Sequence, residues 1–346
     1  MDVQSLSLAG AAVLAAGSYL NAKYGFGTDI QGIRYEKDYV RRVSEHCEKL
    51  GDTCTIYNVF SRVEPTSDAL WFEGRTWTYG ELKHEVERLA AFLHDEGVKP
   101  NDFVGVFMSN SPEMIMTILA LQKLGAVAAL ININLRDDTL QHCLNVSHAT
   151  MVLSTPDLSD AMLGSLPHFA LTYVAFPDVP APKNPNITLI TLSDLPKTPA
   201  ALSPAKRTAR DLACLIYTSG TTGKPKACAI RNAMMIATAT PHSQDVFNPG
   251  KYFPLRTYSP LPLFHGTCLF TGLCYDIGAG ACFCLARKFS ASRFFKDVTE
   301  SRATRILYVG ELCRYLVHSP PDLISIKANC LIWQANQASQ IKVEVA

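Results

Sequence analysis

From Tyr79 onward the sequence alternates between two kinds of segment, and this alternation restricts the possible folds more than any other feature. "YGELKHEVERLAAFLHDEG" carries apolar residues at helical spacing, "FVGVFMS" is a short apolar run, and "SPEMIMTILALQKLG", "AVAALININ", "DDTLQHCLNVSH" and "TMVLST" continue the pattern. Short strands that are apolar on both faces, separated by helices, predict a mainly parallel sheet covered on both sides. Upstream, "DALWFEGRTWTYGEL" places two aromatic, β-branched runs around Glu73-Gly74-Arg75, which predicts a hairpin, and "GIRYEKDYVRRVSEHCEKLG" predicts an amphipathic surface helix. Between residues 176 and 204 the pattern breaks. That stretch holds seven of the 20 prolines, so it reads as an irregular connection with at most one short strand at 187–192. The alternation then resumes with strand "LACLIYTSG", a helix from about Asn232, strand "RTYSPLPL", helix "TCLFTGLCYDIG", strand "AGACFCLA", helix "SASRFFKDVTES" and strand "TRILYVG". The expectation is two α/β subdomains, 32–175 and 205–321, joined by 176–204 and followed by a divergent tail, 322–346.

Composition narrows the function. A hydrophobic content of 48% can fill a real core, and 32 basic against 31 acidic residues leave a net charge of +1, too little to gather a nucleic acid. The 11 cysteines include no C-x-x-C pair, which fits reduced, buried thiols and not a disulfide framework or a zinc site. At the N-terminus, residues 3–20 are uncharged and contain "LSLAGAAVLAAGSYL". As a helix this run would reach about 27 Å, close to the roughly 30 Å of a hydrocarbon core. It reads as a membrane anchor, spanning or lying in one leaflet, with 1–31 as anchor and linker. The alternative is an Ala-rich helix buried in the domain. Because Lys23, Arg34, Lys37, Arg41 and Arg42 follow the run while Asp2 precedes it, the body is expected on the cytosolic side.

The chemistry concentrates in "IYTSGTTGKPKACAI", residues 216–230. Gly220 and Gly223 allow positive φ and close backbone approach, so successive N–H groups can face one concavity and cradle phosphate oxygens. Thr218, Ser219, Thr221 and Thr222 add hydroxyl donors, and Lys224 and Lys226 add charge suited to a triphosphate. The spacing is neither G-x-x-x-x-G-K-[ST] nor G-x-G-x-x-G, and an ordinary glycine-containing loop remains the other reading.

"YTSGTTGKPKA" resembles the signature loop of the AMP-binding, adenylate-forming enzymes. "LQKLGAVAALININLR", "SPLPLFHGTC" and "ILYVGELCRYL" are similar to the fatty acid transport protein and very-long-chain acyl-CoA synthetase family. The resemblance runs from about Gly32 to Pro320. It implies the N-terminal part of the adenylate-forming enzyme fold, with two α/β subdomains, mainly parallel sheets and an N-terminal hydrophobic helix. The implied reaction joins ATP and a long or very long chain fatty acid, with Mg²⁺, into an acyl-adenylate, from which coenzyme A displaces AMP, coupled to fatty acid uptake. Thr218, Ser219, Gly220, Thr221, Thr222, Gly223, Lys224 and Lys226 are carried over as ATP-binding residues, with Lys226 the less replaceable lysine. His265 falls where the family places a histidine or aromatic residue beside the reacting carboxylate; a histidine capping a helix that begins near Gly266 is the alternative. Gly310 and Glu311 match a segment bordering the acyl tunnel, where a helix-start glycine is the alternative. Asn132, Asn134 and Arg136 match the family pattern too, but capping accounts for them, and no metal ligand is assigned.

Family members continue for roughly as long again, carrying the acidic segment that meets Mg²⁺, the ribose-binding aspartate, a hinge and a lysine-bearing mobile domain. The chain therefore reads as a C-terminally truncated member, from a shortened or mis-joined reading frame, whose last strand "TRILYVG" is expected to leave a bare sheet edge. Membrane association is expected, with a cytosolic body at the endoplasmic reticulum, peroxisome, lipid droplet or plasma membrane. Two other readings stand beside the ligase: a non-catalytic membrane-associated lipid- or nucleotide-binding fragment, and a soluble adenylating enzyme for aryl or amino acids.

Overall fold

The computed structural model describes residues 26–149, 151–158, 161, 170–175, 187–191, 195, 197–199, 201–218, 223–240, 254–317 and 331–334. The expected anchor helix lies outside the described residues. Among those described, no helix is long and apolar enough to cross a membrane. The chain divides into two compact units after His46. The first contains most of helix α1 (Phe26–Leu50), on whose exposed face Arg41 bonds Asp38 at 2.6 Å and Glu45 at 2.5 Å. Such i,i+3 and i,i+4 pairs suit a helix that faces water. Everything below concerns the second unit.

After the short helix α2 (Ile56–Phe60), strands β1 (Asp68–Phe72) and β2 (Arg75–Thr78) form the predicted hairpin. Its two-residue turn has Glu73 and Gly74 both at positive φ, the turn geometry whose twist matches paired strands. Thr78 then starts helix α3 (Tyr79–Asp95): its hydroxyl accepts from the Glu81 N–H at 3.2 Å while Glu81 accepts from the Thr78 N–H at 2.8 Å. Strand β3 (Phe103–Phe107) leads to helix α4 (Pro112–Leu124), which Ser111 caps and Pro112 opens, and every residue of α4 is buried. Strand β4 (Val127–Leu130), helix α5 (Asp137–Ser147) and strand β5 (Met151–Ser154) continue the alternation. Strands β6 (Ala170–Ala175), β7 (Ile187–Thr191), β8 (Leu212–Thr218) and β9 (Lys226–Arg231) follow, then helix α6 (Asn232–Thr238) and strand β10 (Arg256–Ser259). A π-helical stretch, Thr267–Cys274, runs into helix α7 (Tyr275–Ala279). Strand β11 (Cys282–Leu285), helix α8 (Ala291–Glu300), strand β12 (Arg305–Tyr308), helix α9 (Gly310–Val317) and strand β13 (Leu331–Gln334) complete the order.

Two sheets result, ordered β7-β6-β5-β3-β4-β8-β9 and β13-β12-β10-β11-β1-β2. All neighbours are parallel except the two edge hairpin strands, β9 and β2. Strands from both sides of the 176–204 connection share each sheet. The early hairpin joins the sheet of the later strands because Trp71 packs with Tyr258, Cys284 and Phe294. β8 joins the earlier strands because Leu215 and Tyr217 pack with Phe107 and Val127.

Side chains alternate cleanly across both sheets, as a pleat with two covered faces requires. On β3 and β8, Val104, Val106, Cys214 and Ile216 enter the central core, which also takes Leu70, Phe283 and Leu307 from the other sheet. α3, α4 and the π-helical stretch lie between the sheets in that core, α5 covers the outer face of the first sheet, and α8 covers the outer face of the second.

Three strands escaped the sequence reading. β6 was missed although its run, with Thr172, Tyr173 and Val174, is rich in strand-forming residues. β9 is an edge strand with mostly exposed side chains, so it has no apolar signature. β13 lies in the tail and pairs parallel with β12 from Arg305↔Leu331 to Tyr308↔Gln334. The bare edge expected at β12 is thereby corrected: the tail covers it. The described cysteines are all free thiols.

Candidate functional site

The glycine-rich motif is the turn of an edge hairpin. Thr218, the last residue of β8, pairs with Lys226, the first of β9, so the two residues close a loop of which Ser219, Gly220, Thr221 and Thr222 lie outside the described residues. On the returning side Gly223 has φ +99°, a conformation that disfavours any side chain, and a Cβ added there would meet nothing within 4 Å. Lys224 and Lys226 are exposed. An open backbone at positive φ at Gly223, next to two exposed ammonium groups with no ion pair among the described residues, suits a polyphosphate.

Helix α5 holds this hairpin by two bonds that sequence reasoning missed. His142 Nε2 donates to the Pro225 carbonyl at 3.1 Å, and the buried Tyr217 hydroxyl donates to the Cys143 carbonyl at 2.8 Å. Neither residue belongs to the motif, and nothing in the spacing of His142 pointed to Pro225. Burial pushes the Tyr217 phenol up to about 12, so it remains a donor through the neutral range.

His265 sits at the end of the arm that continues β10. Its ring is exposed and lies 5.3 Å from the buried ring of Phe264. Its carbonyl accepts from the Leu269 N–H at 3.1 Å, which starts the π-helical stretch. The next residue, Gly266, packs so closely on Phe270 that an added Cβ would come within 3.1 Å of that ring and 3.9 Å of Ile216 Cδ1. The His265 corner therefore rests on the far end of β8, the strand that leads into the glycine-rich loop.

The link between the sheets is Asn110, which follows β3 and is 4% exposed. Its Nδ2 donates to the carbonyls of Leu261, at 2.8 Å, and Ala286, at 3.0 Å, and its Oδ1 accepts from the Leu263 N–H at 2.8 Å. Leu261 and Leu263 lie on the His265 arm, and Ala286 directly follows β11. One side chain thus ties the carboxyl end of β3 to those of β10 and β11, where open parallel sheets characteristically bind ligands. Nearby, burial raises the Glu113 carboxyl, with the Ser111 hydroxyl and the Arg287 charge pulling the other way.

Gly310 and Glu311 are exposed and open helix α9 beyond β12, which neighbours β10 in parallel. They share the carboxyl edge with His265, but Glu311 pairs with Arg314 and no contact joins it to His265 among the described residues. Asn132 turns the chain by accepting from the Asn134 N–H at 2.9 Å, and Arg136 bonds the carbonyls of Ile133 and Leu135. Those roles are local bonds to nearby backbone, and Arg136 makes no side-chain capping bond to helix α5. No group of three or more His, Cys, Asp or Glu that could hold a metal ion is gathered among the described residues.

The sequence profile "AMP-binding enzyme" matches residues 59–339. The very long-chain fatty acid transport protein of Saccharomyces cerevisiae is 32% identical over 315 residues, covering 87% of this chain and 44% of that protein. The medium/long-chain-fatty-acid–CoA ligase FadD6 of Mycobacterium tuberculosis is 33% identical, over 72% of this chain and 40% of its own. The chain thus spans less than half the length of these relatives. Among solved structures, the inhibitor-bound N-terminal domain of FACL13 from Mycobacterium tuberculosis superposes with a TM-score of 0.65 at 22% identity, over 82% of this chain and 69% of that one. O-succinylbenzoate coenzyme A synthetase (MenE) of Bacillus subtilis, solved with AMP, gives 0.61 at 22% identity, over 81% of this chain and 67% of that one. These two show a shared fold. With the profile spanning most of its length and the hairpin, arm and sheet order described above, the chain belongs to the AMP-binding, adenylate-forming enzyme family.

Proposed function

We propose that this chain carries the triphosphate-binding and acyl-side part of an AMP-forming fatty acid–CoA ligase acting on long or very long chain acids. Both steps of such a reaction build negative charge near the α-phosphate, so they call for positioned donors and cations more than for a protein nucleophile. Thr218, Gly223, Lys224 and Lys226, with Ser219, Gly220, Thr221 and Thr222, hold the β- and γ-phosphates. His265 stands beside the reacting carboxylate, where an exposed imidazole can donate to one of its oxygens. Gly310 and Glu311 border the acyl chain. ATP enters with Mg²⁺, whose charge offsets that of the phosphates; none of the described residues is assigned to it. Coenzyme A takes the acyl group in the second step. The apolar run at residues 3–20 anchors the chain to a membrane, from which fatty acids are taken up.

The observation that carries this reading is the packing of the Gly266 corner on Ile216, which sets His265 beside the strand that ends in the Thr218–Lys226 pair. The names of the yeast transport protein and of the mycobacterial ligase favour a fatty acid as the acid. The test is amide hydrogen exchange on the purified chain with and without Mg·ATP. The expected result is ATP-dependent protection of Gly223, Lys224, Lys226 and Ala227, shifted to higher Mg·ATP concentration by Lys226→Ala and weakened by His142→Ala, which frees Pro225. Unchanged exchange of those amides at saturating Mg·ATP would refute the reading.

A further inference from the structure

A separate pocket of about 200 Å³ opens where β1 and β11 end and α8 begins, and none of its residues belongs to the glycine-rich hairpin or the His265 arm. Arg287, Lys288, Ser290 and Arg293 line it, together with two carboxylates, Glu73 and Asp297. Among the lining residues three cations face two anions, with Glu113 and Asp157 acting on Arg287 from beyond the lining, and the hydrogen-bond inventory is more one-sided than the charge count.

Each oxygen of both carboxylates already accepts one hydrogen bond. Glu73 accepts from Arg287 Nε and Nη2, each at 2.9 Å, and Asp297 accepts from Arg293 Nη2 at 3.2 Å and from the Tyr258 hydroxyl at 3.4 Å. The donors are not used up. Arg287 keeps Nη1, Arg293 keeps Nε and Nη1, and exposed Lys288 has no ion pair among the described residues. Ser290, which precedes the ten-residue helix α8, makes no side-chain capping bond; its hydroxyl lies 3.1 Å from that of Ser292 and lines the pocket. A guanidinium can only donate and an ammonium can only donate, so what the pocket presents to a guest is almost entirely donor character.

We infer that this pocket binds the phosphate monoester group of a phosphorylated small molecule or lipid headgroup. The three terminal oxygens of a monoester can accept from both guanidinium groups, the ammonium and the Ser290 hydroxyl together, while a single carboxylate would leave several of these donors unmatched. The apolar floor, where Trp71 is 3% and Leu285 0% exposed, lowers the local dielectric and strengthens those bonds.

The test titrates inorganic phosphate into the isotopically labelled full chain and follows the amide signals of residues 286–292. Saturable shifts are expected there. The double variant Lys288→Gln/Arg293→Gln removes two exposed side chains and should weaken binding at least about tenfold, the scale of one or two charge-assisted bonds. Its unfolding curve reports that the chain remains folded. Lys226→Ala should leave the shifts at 286–292 unchanged, which separates this pocket from the glycine-rich loop whatever the fate of the proposed ligase function. Phosphatidylcholine vesicles with and without phosphatidic acid distinguish the sources: phosphatidate-dependent binding lost in the double variant assigns a lipid headgroup, and a phosphatidate response identical in both chains alongside the phosphate result assigns a soluble ligand. No saturable shift at 286–292, equal phosphate affinity in the double variant, or shifts confined to 223–227 would overturn the inference.

Discussion

Replacing Asn110 by alanine removes a side chain that ties three strand ends together, and its consequences follow from counting partners. Two carbonyls, Leu261 and Ala286, lose a donor and one N–H, Leu263, loses an acceptor, all within a site 4% exposed. A buried group left without a partner costs about 1–3 kcal/mol, so with partial entry of water the total should be about 3–5 kcal/mol. Urea unfolding measures that loss. Amide exchange should place it: Leu263 and the rest of the His265 arm should exchange faster, whereas β4 should change only as far as global stability falls. Asn110→Asp sharpens the test. It preserves the acceptor for the Leu263 N–H but turns a carboxylate oxygen toward two carbonyls, which raises its folded pKa above the unfolded value of about 4. The sign follows: the folded state then binds the extra proton, so stability is greatest below about pH 4 and falls as pH rises through the folded pKa. A loss under about 1 kcal/mol for the alanine variant, or an aspartate variant whose deficit does not shrink on acidification, would refute the idea that Asn110 sets the arm.

Three further outcomes are expected. Lys226→Ala should weaken ATP binding about tenfold to a hundredfold, and Lys224→Ala less, with thermal unfolding unchanged for both because the side chains are exposed; calorimetric titration checks this. Asp276 is fully buried, accepts from Thr257 Oγ1 at 2.7 Å, and is pushed up to about 8 by burial, with Arg305 and Thr257 pulling down. Its folded value exceeds the unfolded one of about 4, so its contribution is whole below that and is lost as pH rises toward about 8; Asp276→Asn should flatten stability against pH across this window in urea titrations. Gly278→Ala would put a Cβ 1.9 Å from the Ala239 carbonyl oxygen, an overlap of backbone that no rotamer relieves, so the variant should lose about 3 kcal/mol or more, seen in its melting temperature.

The parallel α/β character was legible because strands covered on both faces must be apolar, and β3, β4 and β11 are throughout, as is β8 up to Tyr217. Capping chemistry also lay open to reading: Thr78 with Glu81, and Ser111 with Pro112, mark helix starts through bonds between near neighbours in the chain. The glycine-rich motif was visible for the same local reason, since its glycines, hydroxyls and lysines stand close together along the chain. What the chain's order could not disclose were the partnerships across the sheets. Asn110 reads as a polar residue before a helix until it meets Leu261 and Ala286, and His142 reads as a half-buried helix residue until it meets Pro225. β13 hides in an unpromising tail because pairing with β12, not its own pattern, makes it a strand. Local spacing records what neighbours along the chain can do, whereas hydrogen bonds between strand ends form only once long-range packing has brought those ends within about 3 Å of a donor. Residue types announced the chemistry of this protein; the meeting of two sheets at Asn110 decided where it is held.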